Sequence, residues 1–278
     1  MKLYLFNCGT FETPARAMFG SMPEEERVSL YPDYHKKCTW TLRSLLIDDG
    51  KHLLLVDTGF NLQYEKQVII DYAVKDYKSP IQALAELGYE CDGVSDLLHT
   101  HLHLDHCGGT YKVGIEQTLQ PAFINTRCMV SKQQLNTALK PSEFEANSFP
   151  SEIVKAISCS ENLVIFDNHK FLYPWIELRM FYGHTNGLIV PLIHIQNQTL
   201  VFVGDLIPSA AHISANAIAE YDVNPELTYK EKLMFLDEAF EKHFILIFQH
   251  DFYHECCTLK KENSRVVPTE FFKLKDFI

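Results

Sequence analysis

Strand and helix signals alternate along the sequence, and this alternation predicts an α/β domain built in layers. Three observations carry it. Short runs rich in β-branched and aromatic residues recur at 3–6, 42–47 and 53–56. The later runs "LIVPLIHI" (188–195) and "TLVFVGD" (199–205) are continuously apolar, as strands covered on both faces are. Residues 228–242 repeat apolar side chains at helical spacing through Leu233, Leu236, Ala239 and Phe240.

Taken in order, 3–6 reads as a first strand. The segment from about 8 to 40 reads as an irregular N-terminal extension or flap, interrupted by Pro14, Pro23 and Pro32. The runs at 42–47 and 53–56 flank "DDGKH", a hairpin signal, and "DTGF" (57–60) ends the second in a turn. Residues 80–87 form a helix pattern closed by Gly88. Strand 97–98 leads into a histidine cluster, 131–139 and 151–158 are candidate helices, and 162–167 and 176–181 are candidate strands. "FILIFQHD" reads as a last buried strand ending at His250. No repeat, low-complexity stretch or linker interrupts the series, so 1–278 is expected to be a single domain.

The 278 residues, 46% of them hydrophobic, suffice for a substantial core. A formal charge of −11, from 36 acidic against 25 basic residues with no long basic run, argues against a nucleic-acid partner. The start "MKLYLFNCGT" lacks a secretory apolar region, and no run reaches membrane-spanning length, so a soluble cytoplasmic protein without a membrane partner is expected. Eight cysteines without CxxC spacing predict reduced thiols rather than a disulfide framework.

The chemistry concentrates in "LLHTHLHLDHCGG" (97–109). On one straight strand, 99, 101, 103 and 105 share a face and His106 points away. Convergence therefore requires a bend after His103, and Gly108 and Gly109 permit a bend and a close backbone approach. Imidazole with carboxylate is a ligand set for zinc, iron or manganese. One loop does not close two metal sites, and three later segments end strands in similar residues: His184 in "FYGHTNG", Asp205 in "VFVGDLIP" and His250 in "LIFQHD". A polar group ending a buried strand needs a partner or a metal.

The motifs "THLHLDHCGG", "GHTNG", "GDLIP" and "QHD", with "LLVDTGF" before them, resemble the metallo-β-lactamase-fold hydrolases over roughly 42–250. "FETPARAMFGSMPEEERVSLYP" resembles the N-terminal extension of the branch holding quorum-quenching N-acyl-homoserine lactonases and the methyl parathion hydrolase type. The resemblance implies a four-layer αβ/βα sandwich, two mixed sheets face to face with helices outside. It implies two divalent ions, zinc first with iron or manganese as alternatives. His101, His103 and His184 would hold one ion, Asp105, His106 and His250 the other, and Asp205 would bridge them. Asp57 matches a position that orients a ligand histidine. His99 precedes the motif and reads either as such a support or as a core histidine. A homodimer is expected from the resemblance alone.

Two ions about 3.5–4 Å apart hold a hydroxide at neutral pH, which predicts direct attack on an ester or lactone carbonyl with Asp105 moving the proton. The lactonase pattern places a tyrosine three residues after the bridging aspartate, and here that residue is Pro208. His212 and Tyr221 are the nearest substitutes and the candidate catalytic helpers. The alternatives are a phosphotriesterase or phosphodiesterase of the same fold, or a glyoxalase II-like thioesterase. The acidic charge stands against phosphodiesters of nucleic acid, and the short basic ending "KKENSRVVPTEFFKLKDFI" against the thioesterase.

Overall fold

The computed structural model describes residues 1–30, 36–64 and 66–277, in two compact units. Unit 1 comprises 1–11 and 41–168, and unit 2 comprises 12–40 and 169–277. Residues 31–35 of the N-terminal extension, Pro32 among them, lie outside the described residues.

Unit 1 centres on strands β1 (Lys2–Pro14), β2 (Lys37–Asp48), β3 (Leu53–Val56) and β4 (Asp96–Leu98), with β5 (Tyr111–Val113) and β6 (Leu119–Pro121) forming a separate ribbon. β7 (Arg127–Ser131) and β8 (Leu163–Phe166) complete a six-stranded sheet in the order β1-β2-β3-β4-β7-β8. β2 and β3 form the expected hairpin, with Leu45 opposite Val56 and Asp48 opposite Leu53. The Asp48 and Asp49 carboxylates cap its turn by accepting from the backbone N–H groups of Gly50, Lys51 and His52. From β3 through β8 the pairing is parallel. Leu54, Leu55, Val56, Leu98, Met129 and Val130 are accordingly buried. Helices Lys132–Leu139 and Ser151–Ser158 cover this sheet with Leu135, Ala138, Ile153, Val154 and Ile157.

Unit 2 carries a seven-stranded sheet. Its members are β9 (Lys170–Tyr173), β10 (Ile176–Phe181), β11 (Leu188–Ile195), β12 (Gln198–Phe202), β13 (Ile245–Ile247), β14 (Cys256–Glu262) and β15 (Arg265–Phe272). They lie in the order β15-β14-β13-β12-β11-β10-β9. Only β12 and β13 pair parallel, and the helix Pro225–Glu241 makes the crossover between them. Proline opens this helix and the Asn224 side chain caps it by accepting from Leu227 N–H.

Several elements differ from the sequence reading. Up to residue 30 the extension is largely regular: β1 runs on to Pro14, and short helices Ala15–Phe19 and Glu24–Leu30 follow. The run "FILIFQHD" is strand only over Ile245–Ile247, because Phe248 onward leaves the ladder to carry His250. Arg265–Phe272 pairs back on Cys256–Glu262 through Asn263 and Ser264, both at positive φ (48° and 65°), a two-residue hairpin turn without glycine. All eight cysteines are free thiols. Among the described residues no helix is long and apolar enough to cross a membrane.

Gly108 and Gly109 act through proximity. Gly108 has ordinary helical angles (φ −55°, ψ −45°), so freedom of φ is not its use. A Cβ there would lie 2.6 Å from Asn61 N and 2.7 Å from Phe60 C, and one on Gly109 would lie 2.4 Å from Thr58 O. The turn after β3 thus packs backbone to backbone against the histidine loop. Gly109→Ala is expected to destabilise the protein by about 2 kcal/mol or more, as overpacking against rigid backbone does, measured by chemical denaturation. A change within about 0.5 kcal/mol would show that the two loops move apart freely.

Candidate metal centre

In unit 1 the site begins where two parallel strands end together. Val56 lies opposite Leu98, and Asp57 N–H donates to Leu98 O at 3.0 Å, so Asp57 and the histidine loop leave the carboxyl edge side by side. Asp57 turns out of the strand with φ +57°, a conformation an aspartate tolerates better than most residues. Its buried carboxylate accepts from Thr100 N–H (2.8 Å), Thr100 Oγ1 (2.7 Å) and His106 Nδ1 (3.0 Å). The bend expected after His103 is present: His103 is extended and caps the helix Leu104–Cys107. That helix ends at the glycines, and it brings the His106 ring to 3.8 Å from that of His101.

The partners fix which nitrogen of each ring bears its proton. A carboxylate only accepts, so His106 donates through Nδ1 and keeps Nε2 as its lone-pair nitrogen. Thr100 gives its hydroxyl proton to Asp57, hence it accepts from His101 Nδ1 at 3.0 Å and leaves His101 Nε2 unprotonated. Glu145, buried, lies 3.2 Å from His103 Nε2 and leaves Nδ1 as the lone-pair nitrogen there. His101 Nε2 and His103 Nδ1 stand 3.0 Å apart, close to the roughly 3.3 Å that separates two ligand nitrogens on a tetrahedral zinc. Asp105 Oδ2 lies 3.5 Å from His106 Nε2. The donor set fits a divalent cation.

Unit 2 presents a second set. His184 follows β10, Asp205 sits in the turn Gly204–Leu206 after β12, and His250 lies beyond β13. All three are buried. The Asp205 carboxylate lies between the two rings, Oδ2 at 3.3 Å from His184 Nε2 and Oδ1 at 3.0 Å from His250 Nε2. His184 Nδ1 is 2.8 Å from Asp222 Oδ1, so this ring too keeps Nε2 as its lone-pair nitrogen. Asp251 secures the loop of His250 by accepting from Ala210 N–H, Tyr253 N–H and His254 N–H, each at 2.8 Å. His101, His103, Asp105 and His106 in unit 1, and His184, Asp205 and His250 in unit 2, take part in groupings that could hold a metal ion.

The remaining candidates fall into different settings. His99 is a core histidine: it is fully buried, its Nε2 lies 3.3 Å from Thr110 Oγ1, and burial draws its pKa down to about 4. His212 is also buried, stacked on Phe19 at 4.6 Å, with Nδ1 at 2.8 Å from Ser209 Oγ and Nε2 donating to Met18 O at 2.9 Å. Burial draws it down to about 3, so it is neutral across the physiological range. Tyr221 packs edge-on to the His184 ring at 5.6 Å, and its hydroxyl donates to Met18 Sδ at 2.8 Å. Pro208 accepts from His250 N–H at 3.2 Å. Sequence reading missed Glu145 and Asp222. The second was within reach, since it directly follows Tyr221 before a proline-initiated helix.

The His212 pKa yields a signed pH dependence. Its folded pKa, about 3, lies below the unfolded value near 6.5, so the unfolded chain binds the extra proton between them. The stability it contributes is complete above pH 6.5 and is lost as pH falls toward 3. Denaturation midpoints of metal-free protein should drop over that window, and His212→Gln should flatten the slope. An unchanged slope in the variant would count against a neutral buried ring.

Residues 43–114 match the metallo-beta-lactamase superfamily. No curated protein matches the chain in sequence. Among solved structures, a probable metal-dependent hydrolase from Staphylococcus aureus is 20% identical, covering 98% of each chain with a TM-score of 0.81. AidC, a dizinc quorum-quenching lactonase, is also 20% identical, over 98% of this chain and 95% of its own, with a TM-score of 0.81. The hydrolase AbOPH of the beta lactamase superfamily is 19% identical, with the same coverage and a TM-score of 0.79. The resemblance read from the motifs is borne out, and the fold is the metallo-β-lactamase fold.

Proposed function

We propose that this metallo-β-lactamase-fold chain is a metal-dependent hydrolase that opens an ester or lactone bond in a small molecule. His101, His103 and His184 would hold one divalent ion and Asp105, His106 and His250 a second, with Asp205 shared between them, zinc being the first expectation. The observation that carries this reading is the set of partners on the four histidine rings, from which the tautomers follow. Thr100, Glu145, Asp57 and Asp222 occupy one nitrogen of His101, His103, His106 and His184 respectively, and each ring offers a lone pair at the other. Support of this kind orients a ligand imidazole and raises its basicity.

Bound divalent ions supply Lewis acidity at a carbonyl oxygen and a water whose pKa is brought toward about 7. The protein's own residues do the rest. Asp105, with its side chain 20% exposed, is the carboxylate placed to accept a proton and return it to the leaving oxygen. The Tyr221 hydroxyl rests on a thioether, a weak acceptor that it can exchange for a substrate oxygen, and so takes the helper role that Pro208 leaves open. His212, with both nitrogens engaged, is assigned to packing. The lactonase among the structural neighbours supports the ester and lactone class, and the net charge of −11 weighs against phosphodiesters of nucleic acid.

Metal analysis of the purified protein should find two ions per chain, and fewer than about one and a half at saturation would sink the binuclear reading. His184→Ala and Asp205→Asn should lower kcat/KM at least about a hundredfold on the substrate turned over. The panel to assay comprises acyl-homoserine lactones, aryl esters, phosphotriesters and phosphodiesters, and turnover of phosphodiesters alone would overturn the lactone and ester assignment. Tyr221→Phe should cost about a hundred- to a thousandfold in kcat with metal content unchanged, as loss of one oxyanion donor does. A full-rate Tyr221→Phe enzyme would remove Tyr221 from the mechanism.

A further inference from the structure

The helix Pro225–Glu241 buries Thr228, Phe235, Leu236 and Ala239, and with them Lys232, which is 1% exposed. The preceding residue, Glu231, is half-buried, and among the described residues neither side chain forms an ion pair. Both hold backbone instead. The two Glu231 oxygens accept from Tyr182 N–H (2.9 and 3.0 Å), and one also accepts from Gly183 N–H (2.9 Å). The Lys232 ammonium donates to Ser214 O (3.0 Å) and Ala217 O (2.7 Å). Each charge meets the backbone group of opposite polarity.

The two backbone segments lead to one side chain. Residues 182–183 deliver His184, and 214–217 lead into the stretch that delivers Tyr221 and Asp222, the residues packed against His184 and bonded to its Nδ1. The same turn is closed onto the helix start by Val223 N–H donating to His184 O (3.0 Å) and Asn224 N–H donating to Gly183 O (2.8 Å). It lies so close that a Cβ on Gly183 would come within 2.3 Å of Thr228 N. Burial works against both charges, drawing the Lys232 amine down to about 7 and the Glu231 carboxyl up. Asp222 faces both residues, and His212 also faces Lys232. Apolar side chains would anchor a helix more cheaply than buried charges do. The charges are therefore there for the loops that they hold.

We propose that Glu231 and Lys232 are positioning residues for the His184 arm. Glu231 fixes the turn that carries His184, Lys232 fixes the loop that brings Asp222 to it, and together they set how tightly His184 grips a divalent ion. This rests on His184 being a metal ligand, as proposed above. The test measures zinc affinity by chelator competition and amide hydrogen exchange on the full-length metal-free chain. Glu231→Ala and Lys232→Met should each weaken zinc binding about tenfold, the scale of an outer support. Exchange should speed up at 182–184 in the first and at 214–222 in the second, with 101–107 unchanged. Glu231→Gln, which keeps an acceptor oxygen, should stay within about threefold of the parent. Zinc affinity within twofold of the parent in both variants would overturn the proposal, as would exchange that rises evenly across unit 2. If the parent bound no zinc, the metal-dependent reading would fail, and the exchange pattern would still decide whether the two residues hold these loops. If Lys232→Met did not fold, Glu231→Ala would decide the outcome at 182–184.

Discussion

The carboxylate of Asp57 is the constraint on which the histidine loop depends. It is buried, it sits at a positive φ at the end of a strand, and it spends both oxygens on the neighbouring strand's continuation. An unpaired carboxylate in that position would be costly, so Thr100 and His106 are drawn to it as much as it orients them. Through Thr100 its influence reaches His101, because a hydroxyl that has given its proton away can only accept from the next ring. One acidic group thereby decides the proton positions on two imidazoles.

The same physical device recurs with other residues. Glu145 acts on His103 and Asp222 on His184, in each case from an acceptor that cannot donate. A histidine in water exchanges its proton between two nitrogens, and a ring whose far nitrogen is held by a carboxylate does not. What differs between the two units is the source of the support. In unit 1 it comes from a strand end and a covering loop, and in unit 2 from the loop before a helix.

Much of this was legible in the sequence because the residues that carry it obey local rules. The β2–β3 hairpin announces itself by its turn chemistry, and "HLHLDH" by its density of imidazole and carboxylate groups. The bend after His103 followed from strand alternation alone. What was not legible depends on distant partners. Glu145 stands in "PSEFEANSFP", which reads as a surface loop, and only the fold brings it under His103. The short helices after Pro14 were hidden by the prolines around them, and the β14–β15 hairpin by a turn of Asn263 and Ser264 without glycine. Of the two uses read for the glycines after His106, a bend and a close backbone approach, the close approach is the one their surroundings require.

The supports in unit 1 reach far along the chain: 43 and 49 residues separate Asp57 from Thr100 and His106, and 42 separate His103 from Glu145. Local chain segments cannot assemble such a pattern before the sheet has formed. The lone-pair nitrogens of these rings are therefore organised by the fold rather than by local sequence. On the proposed reading a divalent ion would meet rings whose proton positions are already settled, and the ion found in a preparation would follow the medium it last met.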